Sequence, residues 1–159
     1  MSRITILNGS NLNMLGEREP EIYGSTTLAA IEESTQELAG LLGVELTFRQ
    51  TNHEGYMVDW IQEARRDADA LIINPAGFSF HSVPVLDALK MFDGPLIEVH
   101  ISNIHARDEH HRHSMLSGAV TGVVCGLGVY GYTAALLTAA RMLDVMPETL
   151  PRAIGVGPV

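Results

Sequence analysis

The sequence predicts an α/β fold, a doubly wound parallel sheet with helices on both faces. Three observations carry that expectation. Short runs rich in Val, Ile and Leu recur five times, stretches with apolar residues at helical spacing alternate with them, and the most polar segments follow the first, third and fourth runs. Strands that are apolar throughout belong to parallel sheets covered on both sides, whereas a one-sided sheet alternates polar and apolar residues. The chain has 159 residues, the size of one domain able to bury a core without disulfide or metal. In such sheets a ligand sits beyond the carboxyl ends of the strands at the topological switch point. Chemistry is therefore expected in the segments after strands one, three and four.

The first strand is Arg3 to Leu7, a β-branched run that stops at the turn signal Asn8-Gly9. Residues 26–42 form a helix, with Leu28, Ile31, Leu38 and Leu41 on one side, Thr26 or Thr27 as N-cap and Gly43 as the stop. Val44 to Arg49 is the second strand and Glu54 to Arg66 the next amphipathic helix. The alternation continues with a strand at 70–75, a helix from Val83 to Phe92 and a strand at 95–101. Gly118 to Cys125 reads as the fifth strand and Tyr130 to Leu143, rich in Ala, as the last helix. A single domain is expected over 1–146, followed by a flexible tail over 147–159 that holds three prolines and two glycines.

Ten Lys plus Arg against nineteen Asp plus Glu give a formal net charge of -9. Without clustered cations the chain is not expected to bind nucleic acid, although a small anionic substrate can meet a locally positive pocket on an acidic protein. Cys125 is the single cysteine, which excludes an intramolecular disulfide framework. No run approaches the ~18 apolar residues of a membrane span, and the opening MSRITILNGS has no long apolar signal region. A soluble, cytoplasmic protein that does not engage membranes is the expectation.

Residues 8–24 join the first strand to the first long helix through three asparagines, three glycines, Arg18 and Tyr23. A connection of that length is commonly an active-site lid, and otherwise a surface loop with Asn turns. Residues 74–82 follow the third strand and 98–107 end the fourth. Within a strand Glu98 and His100 share a face, pointing a carboxylate and an imidazole the same way. A Glu in an apolar strand is rarely buried without a partner. Five of the seven histidines lie between His100 and His113, yet their spacings match no dense zinc signature, so no metal is expected. Residues 126–131 spell GxGxxG after a strand. That strand is the last rather than the first and no acidic partner follows about 20 residues on, so tight packing explains the glycines better than a dinucleotide. Cys125 reads as a small buried hydrophobe.

The stretches ILNGSNLNMLGEREPEIYG (6–24), RQTNHEG (49–55), NPAGFSFHSV (74–83), PLIEVHISNIHAR (95–107) and VVCGLGVYGY (123–132) resemble the type II 3-dehydroquinate dehydratases of the shikimate and quinate pathways. The resemblance covers the chain to about Leu143. It implies a flavodoxin-like sheet, a hydro-lyase without cofactor or metal, a small carboxylate substrate, and homo-oligomers in which trimers assemble into dodecamers. By the same resemblance Tyr23 is the base that removes a proton beside a ketone. A free tyrosine has a pKa of ~10, so a nearby cation is required, and Arg18 matches that residue. Asn11 matches the holder of a water facing the enolate oxygen. His100 resembles the acid that protonates the departing hydroxyl, with Glu98 fixing its protonation state. Ile101 and Ser102 match the donors to the substrate carboxylate, Asn74 a ligand-orienting amide, and Asp87 an acidic residue that reaches a neighbouring subunit's site.

Two positions depart from the family pattern. A histidine is expected six residues after Asn74, where this chain has Phe80, with His81 one residue later; in an extended segment such a shift sends the side chain to the opposite face. An arginine is expected where His111 stands, with Arg112 one residue later. Ser10 replaces a usual proline. Both larger changes fall on contacts to ring hydroxyls, and a site built to bond a hydroxyl can discriminate by ~10⁴ against an analogue lacking it. Three readings stay open: a 3-dehydroquinate dehydratase in which His81 or Arg112 compensates, a sister dehydratase acting on a different cyclic hydroxy-keto carboxylate, and a non-catalytic ligand-binding homologue.

Overall fold

The computed structural model describes residues 1–149. Most of the tail expected to be flexible, residues 150–159, lies outside the described residues. Five strands, β1 (Arg3–Asn8), β2 (Glu45–Gln50), β3 (Ala70–Asn74), β4 (Leu96–His100) and β5 (Gly122–Cys125), form one parallel sheet in the order β2-β1-β3-β4-β5. The helices are the short α1 (Pro20–Tyr23), then α2 (Leu28–Leu42), α3 (Glu54–Asp67), α4 (Val83–Leu89) and α5 (Tyr130–Met142). The doubly wound α/β reading is what the chain adopts.

The central strands are buried along their whole length, as runs covered on both faces must be. Ile4, Ile6, Ile72 and Val99 join Ile31, Leu136 and Ala139 in one core, whereas Leu7, Leu71 and Ile73 face Met57, Ile61, Val85 and Leu89 in the other. Alternate residues of each strand therefore feed opposite layers. Helix α2 begins where expected, with Thr27 Oγ1 accepting from the Ala30 amide, and ends at Gly43 in the left-handed region at φ 68°. Its inner stripe is Ile31, Thr35, Ala39 and Leu42, and Leu41 is 75% exposed, so the expected inward Leu41 is corrected to Leu42.

The fifth strand is also shorter than Gly118 to Cys125. Residues Ser117–Ala119 form a turn of 3₁₀ helix and pairing starts at Gly122. Ala119 and Val120 are apolar because they pack against the α3–α4 core, which mimics a strand run in sequence. Among the described residues, no helix is long and apolar enough to cross a membrane. Register places Asn8 level with both Gln50 and Asn74, and His100 level with Cys125. The strand order changes direction between β1 and β3, so the crevice lies beyond Asn8 and Asn74.

Candidate active site

A cleft of about 150 Å³ occupies that crevice. The connection after β1 contributes Asn11, Arg18 and Tyr23, the one after β3 contributes Asn74 and Phe80, and the one after β4 contributes Ile101, Ser102, Arg107 and His111, while His100 enters from the end of β4 itself. The loop walls are ordered by apolar anchors, since Leu12 and Leu15 are buried against the α2 side of the sheet. Gly9 is required for this approach: a Cβ there would lie 2.1 Å from the Pro75 carbonyl oxygen. Its amide donates to the Asn74 carbonyl at 2.8 Å, which ties the first loop to the third.

Glu98 and His100 lie on the same face of β4, as expected from their spacing, and both are buried. Glu98 Oε2 is bonded to His100 Nε2, and Ser117 Oγ donates to Glu98 Oε1 at 2.8 Å. Burial alone would raise the Glu98 pKa, but the hydrogen bond and charge of His100, joined by the Ser114 and Ser117 hydroxyls, hold it below the ordinary 4.5. The carboxylate only accepts, so Nε2 of His100 carries a proton and Nδ1 is the nitrogen whose proton can come and go. Glu98 stands behind His100 and does not line the cleft.

Tyr23 ends α1, a single turn begun by Pro20 and closed at Gly24 with φ 80°. Arg107 Nη1 donates to the Tyr23 hydroxyl at 2.9 Å, and the Arg107 guanidinium carbon is 5.4 Å from the ring centroid. Arg18 lies over the ring at 5.2 Å and pairs with Glu19 at 3.3 Å. The reading that gave the phenol's cation to Arg18 alone is thus incomplete. Arg107 holds the hydroxyl, and Arg18 covers the ring. A negative charge on this oxygen would meet positive charge from both connections.

Phe80 and His111 form a further wall, their rings edge to face with centroids 5.5 Å apart. Nδ1 of His111 lies 2.9 Å from each Asp108 carboxylate oxygen. This bond, opposed by burial and aided by the His110 amide, keeps the Asp108 carboxyl below its ordinary 3.8. His81 is exposed and does not line the cleft. The segment expected to be extended is a 3₁₀ helix over Ala76–Phe80, and His81 stands just past its end as the C-cap. Arg112 is likewise outside, its Nε and Nη2 donating to the Arg107 carbonyl at 3.0 and 2.8 Å. Neither neighbour supplies a group to this wall. Asp87 is exposed and also outside the cleft. Cys125 is half-buried, not buried as expected, because β5 is an edge strand. Among the described residues, no three His, Cys, Asp or Glu side chains are grouped to hold a metal ion.

Fold and cleft together define a small α/β enzyme of the flavodoxin-like type, with its cleft at the switch point of the sheet. The model of class II dehydroquinases matches residues 2–140. A 3-dehydroquinate dehydratase of Herminiimonas arsenicoxydans is 52% identical over 141 residues, covering 88% of this chain and 97% of that protein. A catabolic 3-dehydroquinase of Verticillium alfalfae is 52% identical over 144 residues, covering 91% and 96%. The crystal structure of a type II dehydroquinase from Propionibacterium acnes superposes with a TM-score of 0.85 at 44% identity, covering 88% of this chain and 97% of that one. The chain belongs to the class II dehydroquinase family, and it is a hydro-lyase.

Proposed function

We propose that this protein removes water from 3-dehydroquinate to give 3-dehydroshikimate by way of an enolate. The observation that carries the reading is the meeting, on one cleft, of the Tyr23 phenol under Arg107 and Arg18 with the Glu98-backed imidazole of His100. Tyr23 takes a proton from the carbon beside the ketone, and the electron pair moves to the carbonyl oxygen. The ketone then re-forms, a carbon–carbon double bond is made, and the hydroxyl departs with a proton from His100 as water. Asn11, on left-handed backbone at φ 66° with its amide donating to Asn52 Oδ1 at 2.8 Å, holds a water against the enolate oxygen. Ile101 and Ser102 bind the carboxylate, and Asn74 orients the ring.

Asp87 is assigned to a neighbouring subunit's site, in a trimer that assembles into a dodecamer, because in one chain it lies outside the cleft. The enzyme acts in the cytoplasm. A sister dehydratase is favoured by one observation, the Phe80–His111 wall, which offers a single ring nitrogen beside an aromatic edge.

The test is steady-state turnover of 3-dehydroquinate, followed by absorbance of the conjugated product, with Tyr23→Phe as the control. A kcat/KM at or above ~10⁴ M⁻¹s⁻¹ that collapses in Tyr23→Phe, with ligand affinity nearly intact, is expected. Turnover surviving Tyr23→Phe would overturn the mechanism, and ligand binding without turnover would leave a binding homologue.

A further inference from the structure

We infer that Tyr132 is a positioning residue: it fixes the polarity of the Asn74 side-chain amide so that the cleft is offered an N–H donor at that point. Tyr132 is 1% exposed, does not line the cleft, and has no part in the chemistry derived above. It sits in the first turn of α5, yet its hydroxyl reaches the carboxyl ends of β1 and β3. The preceding Gly131 permits this, since a Cβ there would already lie 3.3 Å from Val99 Cγ1 and 3.6 Å from Val124 Cγ1. The last helix can therefore lie close on the sheet.

The hydroxyl joins a one-way chain of hydrogen bonds. Asn8 Nδ2 donates to the Arg49 carbonyl at 3.1 Å, which leaves Asn8 Oδ1 to accept from the Tyr132 hydroxyl at 2.7 Å. The phenol has spent its one proton there, so a lone pair faces Asn74, whose Nδ2 donates to it at 2.8 Å. At the far end Asn74 Oδ1 accepts from the Ala76 amide at 3.3 Å. A backbone carbonyl closes one end and a backbone N–H the other, and neither can reverse its role. Turning either amide over would set donor against donor or acceptor against acceptor in a buried place, which is costly. Burial also holds the phenol far above the ordinary tyrosine range, so its proton stays in place. Asn74 is 3% exposed and its residue lines the cleft. One Nδ2 hydrogen goes to Tyr132, and the second is left for a ligand oxygen: a hydroxyl, carboxylate or enolate.

The inference rests on the dehydratase reading for its assay. A double-mutant cycle of Tyr132→Phe and Asn74→Ala is measured by kcat/KM on 3-dehydroquinate and by the Kd of the enone product, with thermal unfolding recorded for each variant. Expected is a loss of about 10-fold or more in kcat/KM for Tyr132→Phe alone, and a further change of less than about 2-fold when Asn74 is already Ala. A loss of equal size in both backgrounds overturns the inference, because a merely structural tyrosine acts regardless of residue 74. A native protein that binds the enone without turning over 3-dehydroquinate refutes the dehydratase reading alone, and the cycle in Kd then decides this one by the same pattern of coupling.

Discussion

Arg107→Met removes the guanidinium that donates to the Tyr23 hydroxyl at 2.9 Å, while keeping an unbranched apolar stem in its place. A hydrogen bond from a charged donor contributes about 1.5–3 kcal/mol net, and the second contact of the same group, over the ring, adds about 0.5–1 kcal/mol at a partly exposed position. Because Arg107 is half-buried, the lower end of that combined range applies, about 2 kcal/mol, or roughly 30-fold at 1.4 kcal/mol per decade. As the base, the phenol oxygen carries its negative charge before it takes the proton, so losing this donor withdraws the reactive form from the substrate complex and the loss falls on kcat more than on KM. The neighbouring backbone should hold, since Arg112 is tied to the Arg107 carbonyl and not to its side chain. The assay is steady-state turnover of 3-dehydroquinate with a thermal melt on the same preparation. Arg107→Lys keeps the charge without the planar fork and should fall between. A kcat/KM for Arg107→Met within threefold of native, at unchanged stability, would refute the assignment of this guanidinium to the base.

Glu98→Gln replaces an acceptor-only carboxylate, bonded to His100 and Ser117, with a group that must present a donor to one of them, so kcat should fall at least tenfold; native kcat would remove Glu98 from its role. The same variant reads out linkage. Because the folded Glu98 carboxyl is held below the ordinary 4.5, its ionisation stabilises the fold above about that pH, and the contribution is lost as pH falls through the folded value. Urea unfolding below pH ~4.5 should therefore be less steeply pH-dependent in Glu98→Gln than in the native protein, and equal slopes would contradict the shift. Phe80→His adds an imidazole to the wall that His111 now supplies alone. Discrimination between 3-dehydroquinate and analogues lacking one secondary ring hydroxyl should rise at least tenfold, and an unchanged ratio would show that this wall does not read the ring.

What could be read from the sequence depended on how far apart the interacting groups lie along it. Strands β1, β3 and β4 were legible to within a residue because an apolar run and its turn signal are local. The fifth strand was overextended because Ala119 and Val120 look the same whether they pair in a sheet or pack a 3₁₀ turn onto the core. In the site, the face shared by Glu98 and His100 followed from strand geometry alone. The grip of Arg107 on Tyr23 did not, since those residues are 84 apart and meet only when the connections after β1 and β4 converge. Proximity in sequence also misled. Arg112 stands beside the position that needed a cation, yet its guanidinium is occupied by a backbone carbonyl five residues back. Tyr132 shows the physical limit most directly. Its spacing in α5 marks it as a core aromatic, which it is, but its hydroxyl is satisfied by Asn74 and Asn8, 58 and 124 residues away. Periodicity reports which surface a side chain buries. The direction of a buried hydrogen-bond chain is set by the backbone groups at its ends, here Arg49 and Ala76, and those become neighbours only in the folded sheet.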